Sequence, residues 1–84
     1  MVDKHYTTSD TTLAAYLISG GYYLVGIDYN KPRFEFTFDD SNGLRQSVME
    51  YISGHAVTEP VAYSRVTKKL LRLIRRQIQW EEDY

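Results

Sequence analysis

Residues 60–80 constrain the fold most, because they combine a helical period with a one-sided distribution of charge. At about 100° per residue, the cations of this stretch fall within one arc of roughly 120°, and the opposite side is apolar. The cations are Arg65, Lys68, Lys69, Arg72, Arg75 and Arg76. The apolar residues are Tyr63, Val66, Leu70, Leu71, Leu73, Ile74 and Ile78. The pattern predicts one long helix, from Pro60 to Trp80, with an apolar flank toward a core and a cationic flank away from it.

The cationic flank has no acidic residue of its own, since no Asp or Glu lies between Pro60 and Trp80. Helices that merely face solvent usually carry both signs as i,i+4 pairs. Residues 1–59 hold four basic and eight acidic side chains, net −4; residues 60–80 hold +6 and residues 81–84 hold −3, which gives the total of −1. The chain is therefore dipolar. Its cationic flank could meet an external anion or the acidic part of its own fold.

The remaining elements follow from apolar periodicity and from residues that cap or end helices. The order α-β-β-α-(β)-α predicts an α+β fold in one domain, 1–84, with an aromatic-rich β-hairpin packed against three helices. We expect frayed ends at residues 1–7 and 81–84. The expected elements are a helix at about 10–19 capped by Ser9 or Thr8, strands at 22–29 and 33–38, a helix at about 42–53, a possible short strand at 55–57, and the helix from Pro60.

The hairpin has one clearly alternating strand. Phe34, Phe36 and Phe38 are two residues apart and therefore point to the same face. In the preceding strand, the same rule places Tyr23, Val25 and Ile27 on one face. A two-stranded hairpin alone is marginally stable, so another strand, a helix or a second subunit must cover it.

Several short motifs follow one another along the chain. They are Thr8-Ser9-Asp10, Leu13-Ala14-Ala15-Tyr16-Leu17, Gly21-Tyr22, Phe34-Glu35-Phe36, Val57-Thr58-Glu59-Pro60 and Lys69-Leu70-Leu71-Arg72. In this order they resemble a small domain family of unknown function that is common in phages and mobile elements. The resemblance covers roughly residues 8–76 and implies a viral or prophage origin, with no assigned catalytic residues.

The cationic flank favours nucleic-acid binding as the function. Arg occupies four of the six cationic positions, and its planar guanidinium suits phosphate. We expect the six cations to contact phosphate and Trp80 and Tyr29 to stack or anchor the ligand, with Trp80 one turn after Arg76 and close enough for a cation–π contact. Phosphate contacts carry little sequence information, so selectivity should be low.

Two other interpretations remain open. The chain could be a protein-interaction module, either an inhibitor or adaptor of a host or viral protein or a homodimer built through the Tyr-rich strand at Tyr22 and Tyr29. Alternatively, the cations could simply face solvent and balance the acidic part of the domain. Tyr23, Tyr51 and Tyr63 are expected to be ordinary core residues.

The sequence contains no signature of an enzyme, metal site or membrane segment. There is no cysteine, and His5 and His55 lack metal-ligand spacing. Asp39-Asp40 is expected to be a cap and dipole pair, and Asp39-Asp40-Ser41-Asn42 together offer several caps for the helix at about 42–53. We therefore expect no enzyme activity, no cofactor and no metal. No apolar run approaches the roughly 20 residues that span a bilayer, so the expected location is the cytosol.

The acidic residues 81–83 are expected to form a disordered end, with shielding of Arg75 and Arg76 as the alternative.

Overall fold

The computed structural model describes residues 4–83 and confirms the α+β class. Three helices pack with a three-stranded antiparallel sheet whose strand order is β1-β3-β2. The elements are β1 (His5–Thr8), α1 (Thr11–Ser19), β2 (Leu24–Asp28), β3 (Glu35–Asp39), α2 (Asn42–Ile52), α3 (Pro60–Arg76) and a short 3₁₀ helix, η1 (Trp80–Glu82). The predicted hairpin is the β2–β3 pair.

The third strand is present, but at a position that differs from the expected one. Residues 55–57 form no regular structure, and β1 instead pairs with β3, with His5 opposite Asp39 and Thr8 opposite Phe36. The expectation that residues 1–7 are frayed is therefore wrong for residues 5–7, whereas residues 1–3 lie outside the described part of the chain. The edge of β3 that faces away from β2 explains the pairing. Its main-chain N–H and C=O groups need hydrogen-bond partners, and the short strand β1 supplies them.

Strand β2 contains an irregularity that the alternation rule did not predict. Leu24 lies opposite Phe38 and Gly26 lies opposite Thr37, so two steps on β2 match one step on β3. This bulge turns Leu24 and Ile27 into the core and leaves Tyr23 59% and Val25 44% exposed. The predicted common face of Tyr23, Val25 and Ile27 is wrong for the first two residues.

The first two helices begin at side-chain caps. Asp10, and not Ser9 or Thr8, caps α1, since its Oδ1 accepts hydrogen bonds from the main-chain N–H groups of Thr12 and Leu13. The hydrogen bond from the Thr12 hydroxyl, together with those from the two main-chain N–H groups, lowers the pKa of Asp10 below its usual value. Ser41 caps α2 through the N–H of Leu44, so one of the candidate caps in residues 39–42 is confirmed, and the expectation that Asp39-Asp40 is the capping pair is wrong.

Helix α3 begins as expected and ends earlier. Glu59 accepts hydrogen bonds from the N–H groups of Val61 and Ala62, which lowers its pKa. The helix stops at Arg76 because Gln77 adopts a left-handed conformation, with φ 54° and ψ 49°. The main-chain N–H of Ile78 then donates to Leu73 O at 3.1 Å, and the chain reverses direction.

The core lies between the sheet and the helices. Its largest fully buried side chains are Phe36, Phe38, Leu17, Leu44, Leu70 and Leu73. The apolar flank of α3 therefore faces inward, as predicted, with one exception. Leu71 is 53% exposed, because its position on the helix lies next to Lys68 and Arg75 at the edge of the apolar side.

Candidate functional site

The cationic face of α3 comprises Arg65, Lys68, Lys69, Arg72, Arg75 and Arg76. All six lie within one regular helix, so the predicted arc is preserved. Lys69 and Arg72 are half-buried and the other four are exposed. The difference arises from the segment that follows the helix.

Residues 79–83, which we call the C-terminal strap, fold back over this face. Asp83 is the deepest part of the strap, and its side chain is only 4% exposed. Its carboxylate accepts hydrogen bonds from Arg72 Nη2 at 2.6 Å and Arg72 Nε at 3.1 Å, and Arg76 Nη1 lies 3.5 Å from the same group. These contacts lower the pKa of Asp83, chiefly through the hydrogen bond from Arg72, and raise the pKa of Arg72.

Trp80 covers a third cation. Lys69 Nζ lies 3.9 Å from the centre of the indole ring, a close cation–π contact. A cation–π contact was predicted for Trp80 as a residue of the helix, one turn after Arg76. Trp80 instead lies beyond the end of α3, so the geometry of the contact differs from the predicted one. The ring reaches Lys69 because the chain reverses at Gln77.

The strap is also attached to the outer edge of β2. The Gln79 side chain pairs with the main chain of Ile27 as a neighbouring strand would. Its Oε1 accepts a hydrogen bond from Ile27 N at 2.7 Å, and its Nε2 donates one to Ile27 O at 2.8 Å. The Tyr23 hydroxyl donates to Glu81, and this contact raises the pKa of Tyr23. Gln79 N donates to Glu82 Oε1 at 2.7 Å. The expectation that residues 81–84 are frayed is wrong for residues 81–83, and Tyr84 lies outside the described residues.

The strap divides the cationic face into two edges. The covered edge consists of Lys69, Arg72 and Arg76, which all lie against Trp80 or Asp83. The open edge consists of Arg65, Lys68 and Arg75. No residue from Lys4 to Asp83 forms an ion pair with these three. The shielding alternative is therefore correct in kind, although it affects Arg72 and Arg76, and not Arg75.

Tyr22 and Tyr29, the residues expected at an exposed interface, are both half-buried. The Tyr29 hydroxyl lies 2.7 Å from Ile78 O and 3.1 Å from Leu73 O and donates to these carbonyls, and burial raises its pKa. The Tyr22 hydroxyl accepts a hydrogen bond from Ser47 at 3.3 Å. Their hydroxyl groups serve the fold, so neither residue presents the free ring that was expected.

The remaining candidate groups have structural partners. Asp40 accepts two hydrogen bonds from Arg45, at 2.8 and 2.9 Å, which lowers the pKa of Asp40. His5 Nε2 lies 3.9 Å from Asp39. Within residues 4–83, no group of three or more His, Asp or Glu side chains is arranged to hold a metal ion. Over the same range, no helix is both long and apolar enough to cross a membrane.

Sequence reasoning missed Gln79 and Tyr23 as parts of the site, and it included Asp83 only in the alternative that residues 81–83 shield Arg75 and Arg76. The acidic run after Trp80 was a signal for Asp83, because it is the nearest source of negative charge to a helix that has none. No comparable signal marked the edge contact of Gln79. Tyr23 was assigned to the core because the bulge in β2 was not foreseen.

Comparison with known families gives a match to most of the chain. A family profile described as a domain of unknown function, DUF5659, matches residues 3–76. The match ends at the last residue of α3, so it includes all six cations and none of the strap. No curated protein and no solved structure matches the chain.

Proposed function

The chain belongs to the DUF5659 family, and from that premise we propose that it is a non-enzymatic protein that binds nucleic acid through the cationic face of α3. Selectivity for sequence would be low, because the contacts are to phosphate. An accessory role in a phage or prophage, and a location in the cytosol, are further parts of the proposal. They rest on the resemblance and the composition given above.

One observation carries the proposal: six cations share one helical face, and no acidic residue occurs between Pro60 and Trp80. Neutralised phosphates release condensed counterions, which is the main source of affinity in binding without sequence readout. The open edge offers Arg65, Lys68 and Arg75 with no ion pair among residues 4–83. These three would make the first contacts with a ligand.

The covered edge supports the same ligand chemistry. Arg72 and Arg76, one helical turn apart, already converge on a single carboxylate. A guanidinium group that forms paired hydrogen bonds with carboxylate oxygens can form them equally with phosphate oxygens. Trp80 would stack on a base once its ring is released from Lys69. Tyr29 is left out of the contact set, because its hydroxyl holds the end of α3.

The strand-edge alternative has less support. A homodimer or partner strand at β2 would need the outward main-chain groups of Ile27, and Gln79 occupies both of them. Binding of another protein through Tyr22 and Tyr29 would also need their half-buried rings to move.

The test is fluorescence anisotropy with labelled single- and double-stranded oligonucleotides, at salt from about 50 to 200 mM. The triple variant Arg65→Gln, Lys68→Gln and Arg75→Gln should weaken binding at least about tenfold and reduce the log–log salt slope by roughly 2 to 3, as expected for three phosphate contacts. A matched control, Lys4→Gln, Lys31→Gln and Arg33→Gln, removes the same charge away from α3 and should retain most of the affinity. Absence of binding by the unaltered chain at low salt, or equal losses in both variants, would reject the proposal.

A further inference from the structure

We propose that the C-terminal strap is a built-in competitor of the ligand, with Asp83 occupying a phosphate site formed by Lys69, Arg72 and Arg76. Nucleic acid would fill this site by displacing the strap. The inference rests on the function proposed above and adds a regulation of the same face.

The geometry around Asp83 is that of an oxyanion site. Arg72 approaches the carboxylate with both Nε and Nη2, and Arg76 approaches from the next turn. Lys69 lies one turn earlier and also favours the charged form of Asp83. Two cations on successive turns of one helix thus contact a single acidic group, and Lys69 lies one turn before them with its ammonium group against Trp80. A phosphate presents the same charge-assisted acceptors with more negative charge.

The strap can leave without opening the core. No residue of η1 is buried, and the contacts of the strap are made by side chains. They are the hydrogen bonds of Gln79 and Asp83, the Tyr23–Glu81 contact, the Lys69–Trp80 contact and the packing of the half-buried Trp80 ring against the core. The last contact before the strap is at Ile78, whose carbonyl accepts a hydrogen bond from Tyr29. Release would therefore cost these side-chain contacts, including the packing of one aromatic ring, and leave the fully buried residues of α3 and the sheet in place.

Charge adds a second effect to direct competition. The docked strap carries three acidic residues, Glu81, Glu82 and Asp83, and Asp83 forms ion pairs with two of the six cations. A polyanion that approaches the open edge also meets the field of Glu81 and Glu82. Displacement removes both obstacles, and it doubles the number of cations available to the ligand.

The family match separates the face from its competitor. The profile covers residues 3–76, which contain all six cations, whereas Asp83 lies beyond the matched region. The match to the family therefore rests on the domain that carries the cationic face, and not on the strap.

The first experiment compares the unaltered chain with Asp83→Asn by anisotropy, using a labelled single-stranded oligonucleotide. The substitution retains size and removes the charge that holds the strap. We expect binding to tighten at least about fivefold, the lower end of the range for coupled sites. Glu50→Gln, which removes the same charge from α2, is the matched control and should change affinity less than about twofold.

A second variant removes the effect of net charge. Tyr23→Phe deletes the hydroxyl that donates to Glu81 and leaves the charge of the chain unchanged. It should loosen the strap and tighten binding by a smaller factor, about twofold. Tightening in both variants would assign the effect to strap release, whereas tightening in Asp83→Asn alone would contradict it.

Trp80 gives a direct readout, because it is the only tryptophan of the chain. Acrylamide should quench its emission more strongly in Asp83→Asn. The same increase should follow when inorganic polyphosphate, which has no bases to interfere, saturates the unaltered chain. Unchanged quenching in either case would overturn the strap as a displaceable competitor.

The two proposals fail in different ways. If Trp80 is freed in Asp83→Asn and both proteins bind the oligonucleotide equally, the competition is wrong and the proposed function stands. If Trp80 is freed and neither protein binds, the proposed function is wrong and this inference falls with it. Far-ultraviolet circular dichroism of every variant establishes that the fold is retained.

Discussion

The apolar and cationic flanks of α3 belong to one helix, yet different parts of the chain hold them in place. Leu70 and Leu73 on the apolar flank are fully buried, and the helical period alone places them in the core. The cationic flank depends on the strap, which reaches Arg72 and Arg76 through a left-handed residue at Gln77. Periodicity therefore decides which side of a helix is buried, and not what covers its polar side.

The largest expected effect separates the two flanks by stability. Leu73→Ala should lower the free energy of unfolding by about 2–5 kcal/mol, because it removes a fully buried side chain and leaves a cavity. Leu71→Ala is the matched control on the same helix, and at 53% exposure it should cost less than about 1 kcal/mol. Urea unfolding measures both. Equal losses would mean that the helix is rotated relative to the described core.

The next effect concerns the attachment of the strap to β2. Gln79→Ala removes both hydrogen bonds to Ile27 and should lower the free energy of unfolding by about 1–3 kcal/mol, at roughly 0.5–1.5 kcal/mol for each bond. Hydrogen exchange at the Ile27 amide should accelerate. Gln46→Ala, an exposed glutamine of α2, should change neither measurement. An unchanged exchange rate at Ile27 in Gln79→Ala would show that the edge is protected in another way.

A smaller effect tests the turn that directs the strap. Gln77 has a positive φ, which is strained for a residue with a Cβ atom. Gln77→Gly should therefore raise the free energy of unfolding by up to about 1 kcal/mol, and Gln77→Val should lower it, because β-branched residues are disfavoured there. Thermal unfolding of the two variants gives the sign. Destabilisation by glycine would contradict the left-handed turn as a source of strain.

The sequence predicted those parts of the fold that local periodicity controls. The predicted alternation is confirmed for Phe36 and Phe38, which form the inner face of β3, whereas Phe34 lies just before the strand and is half-buried. The period of residues 60–76 gave both flanks of α3. The alternation failed in β2, because the bulge between Leu24 and Gly26 reverses the face to which the residues before it point. Strand β1 was missed because its pairing with β3 depends on main-chain groups. Every residue except proline carries both of these groups, so the sequence of β1 does not mark the pairing.

The candidate site was predicted only in its cationic half. All six cations were found from spacing, since helical position is a local property. Their partners depend on where the chain turns, and a glutamine at Gln77 gives no sign of a left-handed turn, which glycine or asparagine would. Residues 78–80 were consequently assigned to α3, and the position of Asp83 between Arg72 and Arg76 could not follow.

The smallest expected effect on the whole molecule is the pH dependence of strap docking. It is also the effect most specific for the strap. The docked strap holds the pKa of Asp83 below its ordinary value of 3.8, mainly through Arg72. A released strap therefore binds a proton more readily. The contribution of this contact is complete above about pH 4, the ordinary range of an aspartate, and is lost as pH falls through the lower pKa of the docked state.

Acrylamide quenching of Trp80 should accordingly rise as the pH is lowered below about 4, before the circular dichroism of the helices changes. In Asp83→Asn the quenching should already be high at neutral pH and should change little over the same range. The difference between the two proteins over this range is the step that belongs to Asp83. A step of equal size in Asp83→Asn would move its origin to Glu81 or Glu82, and the cationic flank would then be held by contacts other than those of Asp83.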